Sequence, residues 1–310
     1  MKRYGTAVLL ILLGFLFSCA GGNSAGKKPE SPLSGLKAIK KGISLYQKGC
    51  YDRSLEHFYK AHEFFAASDH LSGVAMSMNN IGNIYRIKGD PGNAALFFEE
   101  SFNIYSDLKN DDGMVQALSN KAAALIDGGE LAEAAGVLDM AEDIAREKGC
   151  RSFSVLNNRG VLLTRKEEYV RAGEVLAKAL AAADPLNLSD LATVNFALGN
   201  LMVETKRFEK AIDYFGTALE ADRSVPYYKG IADDLAAIGS VYFSRGECDL
   251  AVKFWQRGIK IYALIGDEKN VSDLMGKLDE ASKRAGIDIR VTRHFVKSWL
   301  AGEALENFCR

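Results

Sequence analysis

Residues 79–101 read NNIGNIYRIKGDPGNAALFFEES, and this stretch spells two helices joined by a tight turn. Gly82 and Tyr85 stand three apart, so they share a helix face. Gly89 then offers the left-handed conformation that ends a helix at low cost. Asp90 is a natural N-cap and Pro91 a natural first helical residue, so a second helix starts at once. Ala94, Phe98 and Ser101 follow at helical spacing and give that second helix one apolar face.

The same text recurs along the chain. Taking Gly42, Gly82, Ala122, Gly160, Gly199 and Gly239 as anchors gives steps of 40, 40, 38, 39 and 40 residues. Three after each anchor stand Leu45, Tyr85, Leu125, Leu163, Met202 and Tyr242, and nine after stand Tyr51, Pro91, Leu131, Tyr169, Phe208 and Cys248. Twelve after comes a small column of Ser54, Ala94, Ala134, Ala172, Ala211 and Ala251. Sixteen after comes a large one of Phe58, Phe98, Leu138, Leu176, Phe215 and Trp255. Nineteen after stand Ala61, Ser101, Ala141, Ala179, Ala218 and Gly258. Antiparallel helices approach closely only where side chains are small, and large residues fill the space between small ones. Gly49, Gly89, Gly129 and Gly246 fall seven after their anchors, where the first helix must turn. Glu167 and Lys206 hold that place in the fourth and fifth repeats, which predicts turns there that are strained or differently shaped.

These columns resemble the tetratricopeptide repeat (TPR), over about residues 35–265. The resemblance implies an all-α, right-handed α-solenoid of about six TPR-like helix pairs, near 35–70, 75–112, 115–150, 153–186, 192–225 and 232–265. The period near 40 exceeds the usual TPR period of about 34 and is similar to that of kinesin light chain and related peptide-binding scaffolds. The extra residues are expected between repeats, near 68–72, 110–113, 149–152, 184–190, 224–230 and 266–270, and in helices lengthened by about three residues. Residues 266–310 read as C-terminal capping helices, one over Val271–Ala285 and one from Thr292 to Phe308, since a solenoid needs a closed end. Alternatively the last helix folds into the groove as an internal ligand.

The N-terminus carries Lys2 and Arg3, then the apolar run TAVLLILLGFLF at residues 6–17. That run falls short of the roughly 20 residues of a membrane span and has the layout of a secretory signal peptide, residues 1–18. Leu16-Phe17-Ser18-Cys19 resembles the lipobox of bacterial lipoproteins, which implies cleavage before Cys19 and acylation of its sulfur and new amine. Ala20 in place of Asp implies, by the sorting rule of Gram-negative lipoproteins, the outer membrane, with the protein facing the periplasm. Residues 19–34 continue as a Gly, Ser and Pro tether behind the lipidated cysteine.

Composition narrows the function. With 39 basic and 40 acidic residues in a 310-residue chain, the net charge is −1, so nothing favours nucleic acid. Cys19, Cys50, Cys150, Cys248 and Cys309 show no CxxC pair and no dense framework, so neither a zinc site nor a disulfide scaffold is indicated. Four scattered histidines make no metal site, and there is no nucleophile–base set and no phosphate loop. The expectation is a non-enzyme without cofactor or metal.

In TPR solenoids the first helix of each pair lines the concave face. The expected exposed columns stand three before, and one, four and five after, each anchor. They hold Asn79, Asn83, Arg86, Asn157, Arg165 and Asn200, and together with the nearby Asn120 these mark a partner-binding surface. An amide donates and accepts, so it can pair with an extended peptide backbone. The same amides could instead bond between helices and stitch repeats together, and both readings stand. Arg86 and Arg165 suit a carboxylate. The TPR clamp for C-terminal carboxylates puts Lys three before an anchor. Here that column is Ile39, Asn79, Ser119, Asn157, Phe196 and Ala236, so that clamp is not expected. The sequence therefore points to a lipid-anchored scaffold or adaptor of the bacterial envelope, binding a protein or peptide partner. The alternative is a sensor or carrier lipoprotein that captures a ligand, for which the apolar Ile39, Ile43 and Tyr46 would serve.

Overall fold

Each anchor glycine lies where any side chain would strike the large residue sixteen positions on. A Cβ placed on Gly82 would come 2.7 Å from the ring of Phe98, and one on Gly199 would come 2.5 Å from Phe215. Gly42 stands in the same relation to Phe58, Gly160 to Leu176 and Gly239 to Trp255. The small and large columns are thus one contact repeated, knob against bare backbone. All six large residues are 1% exposed or less, each adding about 2–3 kcal/mol by burial. The small column twelve after the anchor is fully buried. Its one hydroxyl, Ser54, donates to the carbonyl of Gly42 at 2.8 Å.

The computed structural model describes residues 32–304 and 309. Among them stand fourteen α-helices and no strand. The repeats are α1 (Pro32–Gln47) with α2 (Tyr51–Ala67), α3 (Leu71–Ile87) with α4 (Pro91–Asp107), and α5 (Asp111–Gly128) with α6 (Leu131–Lys148). They continue with α7 (Phe153–Arg165) and α8 (Tyr169–Ala182), α9 (Leu188–Glu204) and α10 (Phe208–Ser224), and α11 (Tyr228–Ser244) and α12 (Cys248–Leu264). Odd-numbered helices touch one another from repeat to repeat and form the inner layer of a TPR-like solenoid. Cys19, the signal peptide and the tether lie outside the described residues. No helix among the described residues is long and apolar enough to cross a membrane.

The turns inside repeats share one shape. Gly49, Gly89, Gly129 and Gly246 have φ between 74° and 85°, and Glu167 and Lys206 adopt the same left-handed region at 62° and 56°. Of the two expectations for these turns, strain is therefore the outcome. Asp90 caps α4 as expected, accepting from the Asn93 amide at 3.1 Å.

Between repeats the expectation of long connections is corrected. The joints at 68–70, 108–110, 225–227 and 265–267 are three residues each, because the flanking helices run to 17 or 18 residues and absorb the longer period. Left-handed residues at Asp69 and Lys109 make such short joints possible.

Past the sixth repeat, α13 (Glu268–Ala285) and α14 (Arg290–Leu300) cover the end of α12, burying Leu274, Leu278 and Val296 with Trp255 and Tyr262. The last helix is shorter than expected. It stops at Leu300, and Gly302 turns the chain at φ 80°; Leu305 and Phe308 lie outside the described residues. Because α14 packs on α12, it acts as a cap and lines neither inner cavity.

The solenoid also curls until its two ends meet. Tyr46 of α1 stacks on Tyr227, just before α11, with ring centres 5.8 Å apart and planes within 2°. Gly49 lies against Ile265, so it is required both for its positive φ and for this close approach. Cys50 and Cys309 form a disulfide, and Arg53 donates to the Cys309 carbonyl at 2.7 Å. The absence of a disulfide scaffold read from the sequence stands, but this single link is not foreseen there. The partners stand 259 residues apart, and only the closing of the curl brings them together.

Candidate functional site

The inner layer holds an open cavity of about 850 Å³, floored by α3, α5, α7 and α9. Of the expected partner-binding residues, Arg86, Asn120, Asn157, Arg165 and Asn200 line it. Asn158, Gln116 and Asn187 add further amides, and Asp112, Asp127, Arg151 and Asp190 add charge of both signs. Apolar ground is limited to Val115, Ile126, Phe153, Val161 and Phe196 with two alanines. A surface of this kind offers donors and acceptors along its length and suits a polar, extended ligand.

The amides divide into two groups by their hydrogen bonds within the fold. Asn79 is 7% exposed, does not line the cavity, and accepts from the Asn120 amide at 3.1 Å across α3 and α5. Asn158 of α7 donates to the carbonyl of Ser119 at 2.8 Å and to its hydroxyl at 3.0 Å. These bonds stitch neighbouring inner helices. The column three before each anchor is therefore buried over the first four repeats, not exposed as expected: Ile39, Asn79, Ser119 and Asn157 are 7% exposed or less. Adjacent first helices close over it. Asn83 is half-buried and does not line the cavity either.

The second group keeps bonding capacity for a ligand. Asn200 and Arg165 are exposed on the cavity wall. Asn157 is buried, its amide nitrogen reaches Asn158 only at 3.5 Å, and its carbonyl oxygen has no hydrogen-bond partner. A buried carbonyl in that state costs about 1–3 kcal/mol, which a donor from a ligand would recover. Arg86 is engaged by Asp127 at 3.0 Å across two inner helices, while its Nε has no partner. It is thus already tied to one carboxylate.

A second cavity of about 390 Å³ opens beside the first, where the ends of the curl meet. Arg86, Thr193 and Phe196 belong to both. Ile43 and Tyr46 line the second cavity, whereas Ile39, taken with them as one apolar patch, is buried in the core. Asp222 and Asp234 also line it and are 6% and 1% exposed. Sequence reading missed both, although the columns carried the signal: Asp222 stands in a column that the other repeats fill with buried residues, and Asp234 in one that repeats two to five fill so. Among the described residues, no group of His, Cys, Asp and Glu is arranged to hold a metal ion.

Residues 36–107 and 151–224 match the tetratricopeptide repeat family model. Among solved structures, the fold is similar to a Rap protein complexed with competence and sporulation factor. Identity there is 13%, the match covers 84% of this chain and 77% of that one, and the TM-score is 0.58. It is also similar to the apo form of RapI, at 15% identity over 85% and 99% of the two chains with a TM-score of 0.53. A third likeness is to PH0952 of Pyrococcus horikoshii, a signal transduction ATPase with a tetratricopeptide repeat sensor: 13% identity, 93% and 48% coverage, TM-score 0.56. No curated protein matches the chain.

Proposed function

We propose that this chain is a lipid-anchored interaction scaffold of the bacterial cell envelope that holds an extended peptide, or an extended segment of a partner protein, in the amide-lined cavity. The observation that carries the binding role is the cavity wall itself, where Asn120, Asn157, Asn200 and Arg165 converge and the buried Asn157 carbonyl has no partner within the fold. A peptide backbone supplies N–H donors and carbonyl acceptors at regular spacing, which amides match on both counts. A Rap protein of the same fold has been captured with competence and sporulation factor, so the architecture is compatible with holding a ligand of its own. The TPR match is to an interaction repeat, and the proposed role needs no catalysis.

Two features support an envelope location. Leu16-Phe17-Ser18-Cys19 supplies the acylation site, with Cys19 as the anchored residue, on the outer membrane and facing the periplasm. The Cys50–Cys309 disulfide persists in an oxidising compartment and is out of place in a reducing cytosol.

Two experiments test the proposal. A photo-crosslinker at Arg165 should trap a partner in cells, and Asn157→Ala with Asn200→Ala should abolish trapping while leaving helicity intact. Unchanged trapping in that double variant overturns the cavity as the site. Labelled palmitate should enter the parent chain and not Cys19→Ser; a parent chain that takes up no label overturns the anchor.

A further inference from the structure

The repeat columns show where the fifth and sixth repeats depart from the pattern. Twenty-three residues after each anchor stand Phe65, Tyr105, Ala145, Ala183, Asp222 and Tyr262, all 9% exposed or less. Five residues before the second to fifth anchors, Ser77, Ala117, Val155 and Val194 are wholly buried, the first repeat has the exposed Lys37 there, and the sixth repeat places Asp234 there at 1% exposure. Two carboxyls thus occupy core positions of the solenoid, where burying an ion without a partner costs several kcal/mol.

The site is built around them. A Cβ at residue 230 would overlap the Asp222 carboxyl, so Gly230 is what gives that carboxyl room. The Asp234 Oδ2 is buried and has no hydrogen-bond partner. The neighbouring Asp233 differs: Lys229 donates to it at 2.6 Å and the Tyr262 hydroxyl at 2.6 Å. Among the described residues, no cation forms an ion pair with Asp222 or Asp234. Arg223 adjoins the pair without bonding to it, and Arg86, at the opening toward the larger cavity, is taken by Asp127. Aromatic side chains complete the lining: Tyr46, stacked on Tyr227, and Phe196.

Two buried carboxyls beside aromatic rings make a receptor for a positive charge on a carbon skeleton. We propose that this 390 Å³ pocket binds an organic cation, an alkylammonium or a guanidinium group, between the carboxyls of Asp222 and Asp234 and the rings of Tyr46 and Tyr227. Among the described residues, no group of three or more His, Cys, Asp and Glu is placed to hold a metal ion, and the aromatic lining suits a cation carried on carbon. The cation is either a free amine or the side chain of a lysine or arginine reaching in from the larger cavity. Only that second source rests on the peptide-binding role proposed above. Burial, reinforced by Asp233, raises Asp222 to about 7, and burial with Asp222 and Asp233 raises Asp234 to about 9. An entering cation favours the ionised pair, so a proton leaves to solvent as the cation binds.

The test is calorimetry on the full chain in detergent, with three probes: cadaverine, the blocked tripeptide acetyl-Ala-Lys-Ala-amide, and its glutamine counterpart. At least one cationic probe should bind ten-fold or more tighter than the glutamine peptide, and Asp234→Asn should weaken that binding ten-fold or more. Asp222→Asn is the second variant and should act the same way; both should melt no lower than the parent, since each removes a buried acid. Cadaverine binding alone identifies a free amine as the source, whereas preference for the lysine peptide identifies a peptide side chain. Cationic probes that bind no better than the glutamine peptide, or affinities unchanged in both variants, overturn the proposal. Loss of crosslinking at Arg165 with probe binding retained would instead remove the peptide-groove reading and leave this pocket standing.

Discussion

Two glycines one helix apart should respond in opposite directions to the same substitution. Gly199 in α9 faces Phe215, and a Cβ there would lie 2.5, 2.6 and 2.9 Å from three ring atoms. Ordinary contact begins at 3.4 Å, so the nearest atom is 3.4 − 2.5, about 0.9 Å, too close. Phe215 is 1% exposed and packed on every side, so it has nowhere to retreat. Overpacking of this kind costs about 1–3 kcal/mol. Gly216 in α10 has nothing within 4 Å of its Cβ position. Both are helical, and Ala in place of Gly gains about 1 kcal/mol in a helix interior. Gly216→Ala should therefore stabilise by about 0.5–1 kcal/mol. Gly199→Ala should lose that gain to the clash and end less stable than the parent, by up to about 2 kcal/mol. At about 2 °C per kcal/mol for a chain of this size, thermal melting followed by circular dichroism should resolve the two shifts in opposite directions. Adding Phe215→Leu to Gly199→Ala should recover part of the loss, because the ring causes it. If Gly199→Ala melts at or above the parent, the knob-on-backbone contact is not what sets the helix spacing, and the reasoning fails.

Three further outcomes follow from the turns, the clasp and the buried acids. Glu167→Gly and Lys206→Gly relieve left-handed backbone at φ 62° and 56°, and each should stabilise by about 0.5–1 kcal/mol in urea titration; a loss would show the side chains contribute more than the strain costs. Cys309→Ser opens a link across 259 residues, about 5 kcal/mol in chain-entropy terms, and should lower the melting temperature and enlarge the radius seen by small-angle scattering. An unchanged radius would show the curl closes without the clasp. Asp234 ionises near 3.8 when unfolded and near 9 in the fold, so between those values the folded chain holds a proton that the unfolded chain has released. Its contribution is whole below about pH 4 and is lost as pH rises toward 9, so Asp234→Asn should exceed the parent in stability by more at about pH 8 than at about pH 5. A constant margin would mean that the carboxyl is not held protonated.

The sequence by itself determined the helix pairs. Small and large residues at fixed offsets are a local code, since a helix presents residue i and its neighbours at known angles, and six registers repeat the same contact. It determined the turn positions too, while the structure decided that Glu167 and Lys206 keep the left-handed shape of the glycine turns. Tertiary structure decided how far the solenoid curls, because small rotations between repeats add up over the whole array and no single offset encodes the sum. From that sum came the Cys50–Cys309 link, the stack of Tyr46 on Tyr227 and the smaller cavity where the ends meet. It also decided which asparagines are bound between helices and which face the cavity. Asn79 and Asn157 share a column and a burial class, and only the neighbouring helix determines that one finds an amide partner while the other keeps a bare carbonyl. Asp222 and Asp234 lie between these cases. Their misfit to the core columns is visible in the sequence, but that the two acids share one pocket follows only from the packing of α10 against α11.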